Sequence, residues 1–146
     1  MNCLDPDYMK YWRVVRTYFC KKYKISTADL EMLMFLYSEK YFTRKKFREY
    51  DMVFPFNTKR LSRLVEMGFV ERFKTESRNE RVMYAVSDKT LRMVKSLYAK
   101  LSGDPFPTDR AYNPFFGKNE NLTQIKYMKM MENINEVIKQ KQDPSL

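Results

Sequence analysis

The sequence predicts a mainly α-helical fold carrying one small two-stranded β-wing, and three observations predict it. Apolar residues recur at helical spacing over 8–24, 27–40, 57–67, 88–102 and 122–142. Between 69 and 87 the spacing changes to strand-like alternation around a polar tip. Capping and stopping residues (Ser26, Thr27, Thr43, Gly68, Ser87, Gly103) stand at the edges of these stretches. A chain of 146 residues is long enough for one domain with a proper core and an added segment.

The first helix, 8–24, turns Tyr8, Tyr11, Trp12, Val15, Tyr18, Phe19 and Tyr23 to one face. Its other face is basic, with Lys10, Arg13, Arg16, Lys21, Lys22 and Lys24, and Asp5-Pro6 before it suits a cap and first turn. The second helix, 27–40, starts at Ser26 or Thr27, with Asp29 and Glu31 near its positive dipole end. Its apolar face is Leu30, Leu33, Met34, Leu36, Tyr37 and Tyr41. Thr43 caps a short basic helix, 43–50, anchored inward by Phe47 and Tyr50. A turn over 51–56 containing Pro55 leads to the helix 57–67, with Leu61, Leu64 and Val65 inward and Gly68 placed as a left-handed stop.

Strands at 69–75 and 81–87 flank the tip Glu76-Ser77-Arg78-Asn79-Glu80, with Val82, Tyr84 and Val86 on one face. The helix 88–102 carries Leu91, Val94, Leu97, Tyr98 and Leu101. Residues 104–121 are irregular, with Pro105, Pro107 and Pro114 among Phe106, Tyr112, Phe115 and Phe116. So many aromatics fit an extended arm lying on a surface, either its own or a partner's. The last helix, 122–142, shows Tyr127, Met130, Met131, Ile134, Val137 and Ile138 on one side. The domains expected are therefore a unit over 1–103, the arm 104–121, and the helix 122–142 for packing.

Composition excludes whole classes of chemistry. With no histidine there is no His-dependent triad and no imidazole metal site. No glycine-rich phosphate loop, cysteine cluster or spaced carboxylate pair is present, so neither an enzyme, a cofactor nor a metal is expected. Cys3 and Cys20 are isolated and read as reduced thiols, though sequence leaves a bridge between them open. No run nears the roughly 18 to 20 apolar residues of a membrane span. No signal-type apolar region begins the chain, so a cytoplasmic location and no membrane partner are expected. Scarce alanine beside abundant Lys, Asn, Tyr, Phe and Met is the bias of an AT-rich genome such as a phage's. The net charge of +10 and pI near 9.6 favour an anionic partner, most simply nucleic acid.

Helix, helix, basic helix, second basic helix, two-stranded wing and helix is the order of a winged helix-turn-helix. Within it, Arg63-Leu64-Val65-Glu66-Met67-Gly68-Phe69-Val70-Glu71-Arg72 resembles the recognition-helix end and following strand of MarR-like transcription regulators. Asn79-Glu80-Arg81 lies where that family has its Asp-x-Arg wing signature, and Val86-Ser87-Asp88-Lys89 where it starts the next helix. Two departures stand out: Asn79 replaces the wing aspartate, and bulky Asp51-Met52-Val53-Phe54-Pro55 replaces the glycine usual between the central helices.

The resemblance implies a DNA-binding regulator, a homodimer built from the N- and C-terminal helices, and double-stranded DNA as the partner. The helix 57–67 would be the recognition helix, with Asn57, Thr58, Lys59, Arg60, Ser62 and Arg63 reaching base edges or flanking phosphates. Arg78, Asn79 and Arg81 would act from the wing, and Thr43, Arg44, Lys45 and Lys46 as phosphate contacts. From 40 to 63 the cations Lys40, Arg44, Lys45, Lys46, Arg48, Lys59, Arg60 and Arg63 face only Glu49 and Asp51. Blander readings stand beside these. A cationic helix face is commonly just solvated, and a wing arginine can pair with Glu71, Glu76 or Glu80. The rival function is a winged-helix interaction module within a larger assembly, such as a phage particle or polymerase accessory complex, with a virion location.

Overall fold

The computed structural model describes residues 8–74, 82–118 and 121–142, and for Gln142 the backbone alone. The Asp5-Pro6 cap, Cys3 and hence any Cys3–Cys20 bridge, and the wing tip with Arg78, Asn79 and Arg81 lie outside the described residues. In order the elements are α1 (Tyr8–Tyr23), α2 (Thr27–Glu39), β1 (Tyr41–Thr43), α3 (Arg44–Val53), α4 (Thr58–Glu66), β2 (Val70–Lys74), β3 (Val82–Val86), α5 (Asp88–Leu101) and α6 (Leu122–Gln142). A 3₁₀ turn, Pro114–Phe116, precedes α6. The molecule is mainly helical with one small antiparallel sheet. No helix among the described residues is long and apolar enough to cross a membrane.

Two compact units divide the chain: Ser26–Lys95, and Met1–Ile25 together with Ser96–Leu146. This cut differs from the expected boundary at 103, because α1 groups with the C-terminal elements. The Tyr18 ring meets Phe106 edge-on at 5.3 Å and its hydroxyl donates to the Tyr112 carbonyl at 3.3 Å. Lys21 lies over the Phe115 ring, which itself packs on Tyr127 of α6 at 5.7 Å.

The described residues 104–118 are held against their own unit. Phe106, Asn113 and Phe115 are buried. Asn135 of α6 clamps Phe106 from both sides, accepting its N–H at 2.7 Å and donating to its carbonyl at 2.9 Å. The fully buried Asn113 donates to the Pro107 carbonyl and accepts the Phe115 N–H, so an irregular backbone is satisfied without a helix or strand. Of the alternatives open in the sequence, the segment lies on its own unit.

In the other unit the caps specify the elements. Ser26 and Asp29 form a capping box at the start of α2, and Thr43 accepts the Lys46 N–H at the start of α3. At the end of α4 the Phe69 N–H reaches the Leu64 carbonyl and the Gly68 N–H the Val65 carbonyl. That is the Schellman pattern, which Gly68 permits with φ of +83°. Helix α3 runs to Val53, past the expected end at 50, and the Phe54 N–H still closes on the Tyr50 carbonyl. Phe54 and Phe56 pack on Phe35 at 5.1 and 5.2 Å, which accounts for Phe54 in this stretch, while Met52 and Val53 are exposed.

The sheet has three strands, ordered β1-β3-β2, where two were expected. Tyr41–Thr43 was read as a helix end and cap, yet it pairs antiparallel with β3, Phe42 opposite Tyr84. Their rings stack at 5.5 Å inside the core, so β1 covers an edge that a two-stranded wing would leave open. Phe42, Val70, Tyr84 and Val86 face inward with Leu30, Leu33 and Leu36 of α2 and Leu61 and Leu64 of α4.

Candidate nucleic-acid interface

Helix α4 displays its polar residues unevenly. Asn57 is its N-cap, accepting the Lys59 N–H at 2.9 Å while its own N–H donates to Asp51 at 2.8 Å. Its side-chain oxygen is thus engaged in the cap, with the backbone at φ of +66°. Thr58, Lys59 and Ser62 are exposed, the Ser62 hydroxyl donating to the Thr58 carbonyl at 3.2 Å.

Arg60 and Arg63 turn to Asp29 of α2. The Arg63 guanidinium donates to Asp29 Oδ1 at 2.5 Å, and Arg60 Nε lies 3.0 Å from the same oxygen. That second contact is a charge contact without hydrogen-bond alignment, since Arg60 Nε is buried and finds no acceptor. Arg60 also donates to the Pro55 carbonyl at 3.3 Å. Asp29 is buried at 3% exposure, and its other oxygen accepts the Ser26 N–H at 3.0 Å. Burial alone would raise its pKa. The hydrogen bonds from Ser26 and the Arg63 charge outweigh burial and hold the carboxyl below its ordinary 3.8. The two arginines expected to read bases are thus an internal clamp joining α4 to the start of α2.

What remains forms two adjoining clefts. The first, of about 250 Å³, is walled by Arg44 and Arg48 of α3, Thr58, Lys59 and Ser62 of α4 and Tyr84 of β3, over Phe47 and Leu61. The second, of about 420 Å³, is lined by Thr43, Arg44, Lys45, Arg72 and Val82. Arg44 belongs to both and donates to the Tyr84 hydroxyl at 3.5 Å. Among the described residues no carboxylate lines either cleft. Cations gathered without counter-charge around hydroxyl donors form an anion receptor, suited to phosphate oxygens. Thr43 serves as a cap and Lys46 pairs with Glu49 at 3.2 Å, whereas no carboxylate pairs with Arg44 or Lys45 among the described residues.

Arg48, Arg72 and Tyr84 were missing from the expected set. Arg48 could have been found, standing four residues after Arg44 and so on the same face of α3. Arg72 and Tyr84 enter through the sheet register, Arg72 opposite Tyr84, which sequence does not display. Comparisons with protein-family models, with curated proteins and with solved structures found no match to this chain.

Proposed function

We propose that this chain is a winged-helix DNA-binding protein, a MarR-like transcription regulator in kind, that grips duplex DNA through α4 and the two clefts beside it. The observation that carries the reading is the cluster of Arg44, Arg48 and Lys59 around Thr58 and Ser62, joined through Arg44 to Lys45 and Arg72 in the second cleft, with no carboxylate lining either among the described residues. In this reading Arg44, Lys45, Arg48 and Arg72 hold phosphates while Thr58, Lys59 and Ser62 meet the groove. A homodimer would place two α4 helices about one DNA turn apart. The groove between α1 and α6, lined by Tyr11, Val14, Tyr127, Met130 and Ile134, would seat the second copy.

Selection of bound sites from random duplex DNA with the purified protein tests this. Enrichment of a near-palindrome supports a regulator. Arg44→Ala should weaken binding to all sequences alike and reduce the salt slope by about 1. Unchanged duplex binding in Arg44→Ala and in Lys59→Ala would reject the reading.

A second reading, an interaction module of a larger assembly, is favoured by Met52 and Val53. These adjacent apolar residues at the end of α3 are 87% and 75% exposed. Absence of sequence enrichment together with a stoichiometric protein partner would select it.

A further inference from the structure

The outer face of the sheet carries a feature that the duplex reading leaves unused. Alternation sends Phe42 and Tyr84 into the core, so Tyr41 and Thr43 of β1, Met83 and Ala85 of β3, and Glu71 and Phe73 of β2 share the opposite face. Register places Thr43, Met83 and Phe73 in one row and Tyr41, Ala85 and Glu71 in the next. Tyr41 is 64% exposed and Phe73 39%, and their rings meet across β3 at 5.9 Å and 89°. These two aromatics project from the outer strands over β3, on the side of the sheet away from the core, and keep part of their rings in water. They form a platform of two rings above a methionine and an alanine.

The platform meets the second cleft only at Thr43, since Arg72 and Val82 of that cleft alternate to the Tyr84 side of the sheet. Thr43 ends the Phe73 row and also lines the second cleft with Arg44, Lys45 and Arg72. Lys40 precedes Tyr41 in the chain, whereas Lys74 pairs with Val82 and alternates to the Tyr84 side. Glu71, at the far end of the Tyr41 row, is the one carboxylate on this face among the described residues, and it keeps phosphates toward the Thr43 side. Charge complementarity therefore asks for an anionic partner, and the rings ask for flat apolar surfaces on it. A closed duplex meets the first demand but hides its base faces in its own stack. An unpaired strand meets both.

We propose that the Tyr41–Phe73 face stacks unpaired bases of a single-stranded nucleic acid whose phosphates lie in the cleft at Arg44. This rests on the reading that the cleft takes phosphates, and it names a second ligand form for that site: a single strand, or the unpaired stretch next to a duplex. The rings supply the contact to bases, which needs no particular sequence because every base has a π-face.

The test is fluorescence anisotropy at physiological salt with three fluorescein-labelled probes. These are a 15-nucleotide oligo-dT, the same strand with its central bases replaced by abasic sites, and a blunt duplex of equal length. Wild-type protein should bind the abasic strand about tenfold more weakly than oligo-dT, ~1.4 kcal/mol, which is within the range of base–aromatic stacking. The double variant Tyr41→Leu, Phe73→Leu should lose the same factor on oligo-dT and stay within twofold on the duplex. Because the abasic comparison uses unmodified protein, it decides the matter even if the double variant folds poorly. If base removal leaves affinity within twofold while Arg44→Ala still weakens oligo-dT and duplex, the stacking face is overturned and the phosphate cleft stands. A face that docks protein instead gives that same result. If Arg44→Ala changes neither probe, the cleft reading itself fails and stacking falls with it.

Discussion

Replacing Asp29 with asparagine keeps the shape of the side chain and an acceptor for the Ser26 N–H, and removes the charge that holds Arg60 and Arg63. Arg63 is 52% exposed at its side chain, so its share is that of a surface pair, about 0.5 to 1 kcal/mol. Arg60, at 26%, keeps a buried Nε beside the neutralised group, and losing a charged partner there costs about 1.5 to 2 kcal/mol. Asp29→Asn should therefore lower unfolding free energy by about 2 to 3 kcal/mol. With a urea slope near ~2 kcal/mol/M, the midpoint moves down by about 1 to 1.5 M. The effect also has a pH signature. The folded carboxyl is more acidic than its ordinary 3.8, so its contribution is complete above that value and is lost as pH falls through the lower folded value. Urea titrations of wild type and variant should stay apart from pH 7 down to about pH 4 and draw together only as pH falls further. A loss under ~0.5 kcal/mol at pH 7, or an acid-induced loss in the variant equal to that of wild type, would refute the clamp.

Three further outcomes follow from single contacts. Tyr50 and Tyr18 are both pushed up to about 12, chiefly by burial, with Glu39 accepting the Tyr50 hydroxyl at 2.9 Å. Their contribution is whole below pH 10 and fades as pH rises toward 12. Tyr50→Phe should cost about 1 kcal/mol at pH 8 and flatten the alkaline decline, and an unchanged decline in denaturant melts would count against it. Asn113→Ala orphans the Pro107 carbonyl and the Phe115 N–H and should destabilise by about 2 to 4 kcal/mol, with faster proteolysis within 104–121 as the readout. Lys40 sits at φ of +62° and ψ of −81° between α2 and β1, so Lys40→Gly should stabilise by about 1 kcal/mol in urea unfolding. A destabilised variant would show that the lysine contributes more than its backbone strain costs.

Whatever rests on neighbours in sequence was legible before the structure. The Ser26–Asp29 box, the Thr43 cap and the Gly68 stop are all local, which is why the α4–β2 junction could be drawn residue by residue. β1 was not legible, because three residues are too few to show alternation and Thr43 serves both as strand end and as helix cap. Asp29 was read as a carboxylate suiting a helix dipole. Its pairing with Arg63 spans 34 residues, and nothing in the spacing of either residue marks it. The segment 104–121 was legible only in part. Its aromatics argued for a segment lying on a surface without saying which, while Asn113 and Asn135, two unremarkable polar residues, tie its backbone to its own unit from positions that sequence does not connect.

The Asp29 clamp also bears on how α4 would discriminate DNA. A bidentate arginine–guanine pair contributes about 1 to 3 kcal/mol of preference, and the hydroxyls of Thr58 and Ser62 offer no such fork. Two arginines withheld thus remove about 2 to 6 of the ~4 to 10 kcal/mol that separates specific from random binding. Arg60 is held twice, by Asp29 and by the Pro55 carbonyl, and stays with the scaffold. Arg63, half exposed and held only at its tip, can exchange the carboxylate for a base at a cost of about 1 kcal/mol. If it does so on the proposed duplex, Asp29→Asn removes that cost. Affinity for a selected site should rise roughly fivefold while affinity for random duplex stays level. Equal change on both sequences, measured on variant protein shown to be folded at the assay temperature, would assign Arg63 to the scaffold. It would leave Lys59, Thr58 and Ser62 as the whole of the reading surface on α4.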